Sequence, residues 1–429
     1  MLYHQTLGFS FFPVYFMTHS IVGYLLFLLA AVLLGGRKNL CNSKNSAIVL
    51  SGVLFQIALL LAMTHLPVVV NALEGVASGV MKLKDATLKG TEFVFGYIGG
   101  GATPFEVKNP NSMFVLAFQA LPTVILVATL GAILTYLNVI PFIAKIVGYP
   151  FKLIFKIKDS MGMVSASKIF LGQLEAPLLI KSQLENLSQS NIFILLTLAF
   201  ATSSAAVTPI YASALQEIFP NAMQHIIMSS VLNVISVLIL SSIVMPREED
   251  SIRQTHEEIK PYTNFMNAMS KGLGDGMFVW WCIVGSLIGM VALITFANYL
   301  FALFPDIGGT PITLQRICGI IVYPFAWLIG IESKDLIPVS QIIGTKIVLN
   351  EIIAFFDLAK AGVSNASVVK TIYAINNFGN FACIGITVSG LLALAPSQKC
   401  ITRLVWKAFL TGILATGLTS SLISVFLPL

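Results

Sequence analysis

Residues 159–182 read DSMGMVSASKIFLGQLEAPLLIKS, and residues 333–357 read SKDLIPVSQIIGTKIVLNEIIAFFD. Both are long enough to cross a bilayer, yet both are polar at mid-length. Lys168 and Glu175 fall in the first stretch, Lys346 and Glu351 in the second. A charge at membrane depth costs about 2.5–3.5 kcal/mol on insertion scales, so these side chains must face protein or water. Polar, broken backbone is tolerated in hydrocarbon only where protein buries it or a cavity borders it. Each stretch therefore reads as a re-entrant hairpin that enters and leaves the membrane by the same side.

The two stretches also look like copies. Tyr149-Pro150-Phe151 precedes the first and Tyr323-Pro324-Phe325 the second. Lys168-Ile169-Phe170-Leu171 leads to Glu175, as Lys346-Ile347-Val348-Leu349 leads to Glu351. A helix rich in small or polar residues is expected after each, with Thr202-Ser203-Ser204-Ala205 in one half and Asn376-Asn377-Phe378-Gly379-Asn380 in the other. The offset is about 175 residues throughout. Internal repeats with broken segments in matching positions point to the binding site of a secondary transporter.

The rest of the chain supplies the membrane context. Of 429 residues, 56% are hydrophobic and 10% charged, and the mean hydropathy is +0.88. Soluble domains carry roughly 25% charged residues, so most of this surface must face lipid. The net charge of +6 comes from basic residues between apolar runs, as at Arg37-Lys38, which marks cytoplasmic loops and not a nucleic-acid surface. Five scattered cysteines form no C-x-x-C pair, and the five histidines show no metal spacing. Neither a disulfide framework nor a metal site is indicated. The apolar N-terminus lacks a basic flank and reads as a retained transmembrane helix.

Candidate spans run roughly 11–35, 46–65, 113–137, 192–214, 223–245, 276–304, 370–394 and 405–428. The expected organisation is N-terminal helices with an interfacial segment over 1–112, a first repeat over 113–245 with hairpin 159–182, a hydrophilic linker over 246–272, and a second repeat over 273–429 with hairpin 333–357. Trp280 and Trp281, in the first turns of a span, read as interface anchors. The Arg37-Lys38 loop places the N-terminus outside.

Within the hairpins, Gly172-Gln173-Leu174-Glu175-Ala176-Pro177 resembles the GQ(T/S)EAP motif of concentrative nucleoside transporters. Asn350-Glu351-Ile352-Ile353-Ala354 resembles their NEF(V)A motif, and Phe378-Gly379-Asn380-Phe381 their F-A-N motif. Gly90-Thr91-Glu92-Phe93-Val94-Phe95-Gly96 and Leu121-Pro122-Thr123 also look like family positions. The similarity runs from about residue 90 to 428 in one register. It implies an all-α membrane protein of about eight transmembrane helices plus two re-entrant helical hairpins, with an inverted internal repeat. It further implies an elevator-type transporter that is a multi-pass homotrimer of the bacterial inner membrane. The implied activity is nucleoside import by symport with a cation, with no cofactor and no nucleic-acid partner.

A neutral nucleoside needs fixed hydrogen-bond partners more than a counter-charge. Gln173 offers amide donors and an acceptor, Glu175 carboxylate acceptors, and the resemblance places both at the base. It places Glu351 and Asn380 on the ribose hydroxyls, Phe378 against the base, and Val207 on the wall. Charge-assisted bonds to hydroxyls are worth roughly 1.5–3 kcal/mol. Each has a bland alternative: Glu175 or Glu351 as internal partners of Lys168 or Lys346, Asn380 as a helix–helix bond, Phe378 as core. Gly385, Gly390 and Ala205 are expected to allow close, sliding helix packing.

Three positions depart from the family. Leu174 stands where relatives have Thr or Ser. Cys383 stands where sodium-coupled members have Ser, and a thiol is a weaker donor. Lys168 stands at a sodium-ligating Asn, in a site otherwise matched by Leu171, Thr202 and Ser203. An ammonium there would repel sodium or take its place, so proton coupling is expected over sodium. The alternative for Lys168 is snorkelling to the surface. Among competing functions, one is an elevator-type carrier for a different small polar solute, such as a small anion or an amino acid; an anion site would favour an arginine near the hairpin tips, and none is present there. A gated channel of similar architecture is the other. No nucleophile–base pair, H-E-x-x-H or phosphate loop suggests an enzyme.

Overall fold

The computed structural model describes residues 14–36, 43–108, 113–173, 175–245, 262–306, 309, 311–377 and 379–426. Among these residues the regular structure is helical, with no strand. The chain begins with α1 (Val14–Gly35), α2 (Ser43–His65) and α3 (Pro67–Phe95). Leu66 sits between the latter two in an extended conformation, because Pro67 excludes the helical region for the residue before it. α3 has a single buried residue, Thr91.

Two runs of elements in the same order follow. The first is α4 (Leu116–Gln119) with α5 (Thr123–Tyr136), then α6 (Val139–Phe155) with Pro150 inside it. Next come the hairpin helices α7 (Asp159–Ser167), α8 (Glu175–Leu178) and α9 (Lys181–Leu184). A broken helix, α10 (Gln189–Ala201) and α11 (Thr208–Leu215), leads to α12 (Ala222–Val244). The second run is α13 (Phe265–Phe301), α14 (Leu314–Leu328) with Pro324 inside, and the hairpin α15 (Leu336–Val348) and α16 (Glu351–Lys360). Another broken helix, α17 (Asn365–Ile375) and α18 (Phe381–Leu394), leads to α19 (Cys400–Phe426).

Neither hairpin is a continuous rod. α15 has 13 residues, about 20 Å at 1.5 Å per residue, too short for a hydrocarbon core of about 30 Å. Each hairpin packs on the Pro-containing helix before it, α7 on α6 and α15 on α14. The base of each is tied down. The Gln398 amide donates to the carbonyls of Leu184 (3.1 Å), Glu185 (2.8 Å) and Leu187 (3.1 Å), at the end of the first hairpin. In the second, Asp335 accepts from the backbone N–H of Ser364 at 3.0 Å and its hydroxyl at 2.8 Å, joining the hairpin's entry to the start of α17.

Six described stretches are long and apolar enough to cross a membrane: Thr18–Gly35, Asn45–His65, Leu116–Tyr136, Ala222–Val244, Phe265–Phe301 and Cys400–Phe426. The other two expected spans, 192–214 and 370–394, are interrupted at 202–207 and 376–380, where runs of Ser, Asn and Gly hydrogen-bond elsewhere instead of propagating the helix. The span expected at 276–304 begins instead at Phe265, where Asn264 caps it through the Asn267 N–H. Residues 265–272 are thus helix and not linker. Residues 246–261 and the Arg37-Lys38 loop lie outside the described residues.

α12 is the axis of the protein, with 89% of its span buried. It packs on α2, α10, α17 and α19. α13 is the opposite case, 37 residues and about 55 Å long, with only 11% of its span buried. It lies along α5 through Gly272 and Gly276, one helical turn apart. A Cβ at Gly272 would come within 2.7 Å of the Thr129 Cα, and one at Gly276 within 2.6 Å of the Ile125 Cα. This small-xxx-small contact is how apolar helices approach closely in lipid. Gly276→Val should therefore cost about 1–3 kcal/mol through overpacking, seen as a lower thermal midpoint of the detergent-solubilised protein, whereas Gly274→Ala, which faces open space, should leave it unchanged.

Two expectations fail here. Trp280 is not an interface anchor. It is 7% exposed, and its indole N–H donates to the Ala117 carbonyl at 2.9 Å, pinning α13 to α4; only its neighbour Trp281 is exposed. Gly385 makes no close helix contact, since a Cβ there would meet nothing within 4 Å.

Candidate functional site

The second hairpin turns at Leu349 and Asn350. Asn350 is the N-cap of α16, its side chain accepting from the Ile353 N–H at 3.0 Å. That cap sets Glu351 in the first turn, at the positive end of the helix dipole. Glu351 is buried, and its two oxygens have different partners. Oε1 accepts from the Tyr211 hydroxyl at 2.9 Å, and Oε2 accepts from the Asn380 amide at 3.1 Å.

Asn380 is in turn the N-cap of α18, accepting from the Cys383 N–H at 2.9 Å through Oδ1. One amide group thus starts a helix and holds a carboxylate from another element. Among the described residues its second Nδ2 hydrogen makes no other hydrogen bond, and Glu351, which also accepts from its own backbone N–H, keeps a lone pair for a polar ligand. Farther along the same helix, the Thr387 hydroxyl donates to Gln173 Oε1 at 3.2 Å. Asn380 and Thr387 are seven positions apart, about two turns or 10 Å along one helical face. Both hairpins therefore reach α18 on one side, Glu351 from the second and Gln173 from the first. Cys383 and Val207 are buried, Cys383 one turn before Thr387 and Val207 at the N-cap of α11.

The lysines of the two repeats differ. Lys346 is 2% exposed, and its ammonium donates to the Asn377 side-chain oxygen and, at 2.9 Å, to the Gly379 carbonyl. It fixes the second break from within the second hairpin. Lys168, also 2% exposed, has no hydrogen-bond partner at Nζ among the described residues. It does not snorkel. Among the described residues, no direct ion pair joins either lysine to Glu175 or Glu351, and the charge of each lysine acts on the carboxylate of its own hairpin from beyond contact distance.

Leu171, Thr202 and Ser203, which the resemblance groups with Lys168, are buried. The Thr202 hydroxyl donates to the Leu198 carbonyl at 2.7 Å. The Ser203 hydroxyl donates to Asn376 Oδ1 at 2.7 Å, linking the first break directly to the second. Asn376 spends its own amide hydrogens on α12, at the Ile226 carbonyl (2.9 Å) and Ser230 Oγ (3.2 Å).

Glu175 stands apart from the Glu351 cluster. Its Oε2 accepts from the Gly172 N–H at 3.0 Å, closing the turn of the first hairpin. It also lines a cavity with Leu171, Tyr262, Asp275 and the α5 residues Gly131 and Thr135. Leu174 and Phe378, expected at the base, lie outside the described residues. Tyr211 and Thr387 escaped the sequence reading, and Asn377 was singled out only as part of a polar segment and not as the partner of Lys346. Thr387 had a usable signal, since it follows Cys383 by one turn on the Asn380 face; Tyr211 had none, because its partners are remote in sequence.

Comparison with known proteins fits this architecture. Residues 22–98 match the family described as "Na+ dependent nucleoside transporter N-terminus" and residues 225–424 its C-terminus. Residues 117–217 match "Nucleoside recognition". The nucleoside permease NupC of Helicobacter pylori is 25% identical over 421 residues, covering 96% of this chain and 98% of that protein. Sodium/nucleoside cotransporter 1 of Oryctolagus cuniculus is 27% identical over 70% of this chain, which spans about half (48%) of that longer protein. The solved structure of CNTnw in an inward-facing substrate-bound state superposes with a TM-score of 0.86 at 25% identity, over 96% of this chain and 98% of that one.

Proposed function

Because this chain belongs to the concentrative nucleoside transporter family, a family of transporters and not of enzymes, we propose that it imports nucleosides by symport with a proton, as a homotrimer in a bacterial inner membrane. The observation that carries the nucleoside reading is the meeting of Gln173 and Glu351 on one face of α18. The amide serves the base, and Glu351 with Asn380 serves the ribose hydroxyls. Val207 and Cys383 complete the wall, with Leu174, Glu175 and Phe378 at the base. The hairpins and broken helices travel as one body past α5 and α13, in the elevator manner. The apolar exposed face of α13, with Phe278, Trp281, Ile288 and Phe296, supports its contact with lipid or a neighbouring subunit. The test is uptake of labelled uridine into proteoliposomes. A carrier accumulates it above the outside concentration and loses it when a protonophore is added, whereas a pore only equilibrates it.

The coupling ion rests on Lys168. An ammonium that is buried and, among the described residues, has no hydrogen-bond partner supports a tethered cation in place of sodium. One positive charge entering down 100 mV releases about 2.3 kcal/mol, enough for roughly a fifty-fold gradient of a neutral solute, so one proton suffices. Uptake should persist when choline replaces sodium and should rise as external pH falls; strict sodium dependence would end the idea. Lys168→Asn should make uptake respond to sodium, read as at least a several-fold difference between sodium and choline.

A further inference from the structure

We propose that Tyr211 is the residue that aims Glu351, and that it thereby sets how strongly this transporter favours a sugar bearing free hydroxyls over one without them. The inference rests on the nucleoside reading above and adds a residue to it. Tyr211 belongs to α11, on the far side of the first break from Ser203. Its side chain is fully buried. Its ring lies flat on Phe355, centroids 4.5 Å apart and planes 4° from parallel, and its hydroxyl donates to Glu351 Oε1 at 2.9 Å. Glu351 and Phe355 are four residues apart on α16, hence neighbours on one helical face. A single side chain from the first repeat therefore grips both.

The physical role follows from the chemistry of a buried carboxylate. Such a group must be hydrogen-bonded to be tolerated, and it presents about four acceptor positions. Tyr211 takes one on Oε1 and Asn380 one on Oε2, and the residue's own backbone N–H takes another. Two donors arriving from other helices fix the carboxylate plane, and so fix where its remaining lone pair points. Without Tyr211, Oε1 loses its donor from the facing helix, and the group is free to turn. A ligand hydroxyl would then meet an acceptor that is present but poorly aimed, and preorganisation is what such a contact needs. Gln173, held by Thr387 instead, would not feel the change. The effect should fall on the sugar hydroxyls and spare the base.

The experiment compares binding of uridine and 2′,3′-dideoxyuridine to purified wild-type protein, Tyr211→Phe and Phe355→Leu, by displacement of labelled uridine. Tyr211→Phe keeps the ring and deletes only the donor. Its affinity for uridine should fall about tenfold, the size of one hydrogen bond to a charged group, while that for the dideoxy compound holds. The preference ratio therefore collapses by about the same factor. Phe355→Leu keeps the hydroxyl but frees the ring, and should lower the ratio in the same direction by less. It decides the matter if Tyr211→Phe does not fold. A ratio that stays at the wild-type value, or a parallel loss for both ligands, would overturn the role of Tyr211. Wild-type protein that binds no uridine would instead remove the nucleoside reading.

Discussion

Glu351→Gln should reduce uridine uptake to background while the protein still inserts, solubilises and elutes as the wild type does. The carboxylate faces donors from two other helices, Tyr211 on Oε1 and Asn380 on Oε2. A glutamine amide is isosteric but offers one acceptor oxygen and one donor nitrogen. Whichever way it lies, one existing donor meets an N–H and must turn away. The amide also lacks the charge that makes bonds to ligand hydroxyls strong. Two such bonds at about 1.5–3 kcal/mol each amount to more than a hundredfold in affinity. Asn380→Ala removes the second Glu351 partner and the cap of α18 together, so it should be equally inactive and also less stable, by about 1 kcal/mol for the cap. The assay is initial uptake rate into proteoliposomes, normalised to inserted protein. Wild-type rates in either variant would remove that residue from the site.

Lys346→Met should be nearly as damaging, by a different route. Its ammonium joins the second hairpin to the second break by donating to Asn377 and to the Gly379 carbonyl. Methionine fills much the same volume but donates nothing. It leaves a buried carbonyl unpaired, at about 1–3 kcal/mol, and frees the segment that positions Asn380. The thermal midpoint in detergent should fall, and uptake should drop by at least tenfold. Lys346→Arg would not restore it, since a planar fork cannot replace a compact ammonium in a space where Gly379 has no room for even a Cβ beside the lysine. A Met variant with wild-type melting and transport would show this bridge to be dispensable.

The sequence made the hairpins legible because charge at membrane depth is costly and there were two copies to compare. Lys168 with Glu175, and Lys346 with Glu351, stood out against apolar flanks. The breaks were visible as Thr202-Ser203 and Asn376-Asn377, but the apolar residues around them read as unbroken spans. A hydropathy window averages over a few polar residues; it does not register where their hydrogen bonds go. Ser203 to Asn376 is a contact across 173 positions, and Tyr211 to Glu351 one across 140. Neither leaves a local signature. Trp280 illustrates the same limit. Its place near the start of a span suggested the lipid interface, but a carbonyl of α4, remote in sequence, decides its position.

The amide of Gln398 and the carboxylate of Asp335 each hold a hairpin at its root, and the side chains of Gln173 and Glu351 clasp the two tips to α18 and α11. A beam fixed at one end and clasped at the other moves only when the clasp opens. Each root is joined through backbone groups, whereas each tip is joined through side chains alone. Amide deuterium exchange should therefore be slow at 184–187 and 335, and should rise at 172–173 when Thr387→Val removes the clasp there.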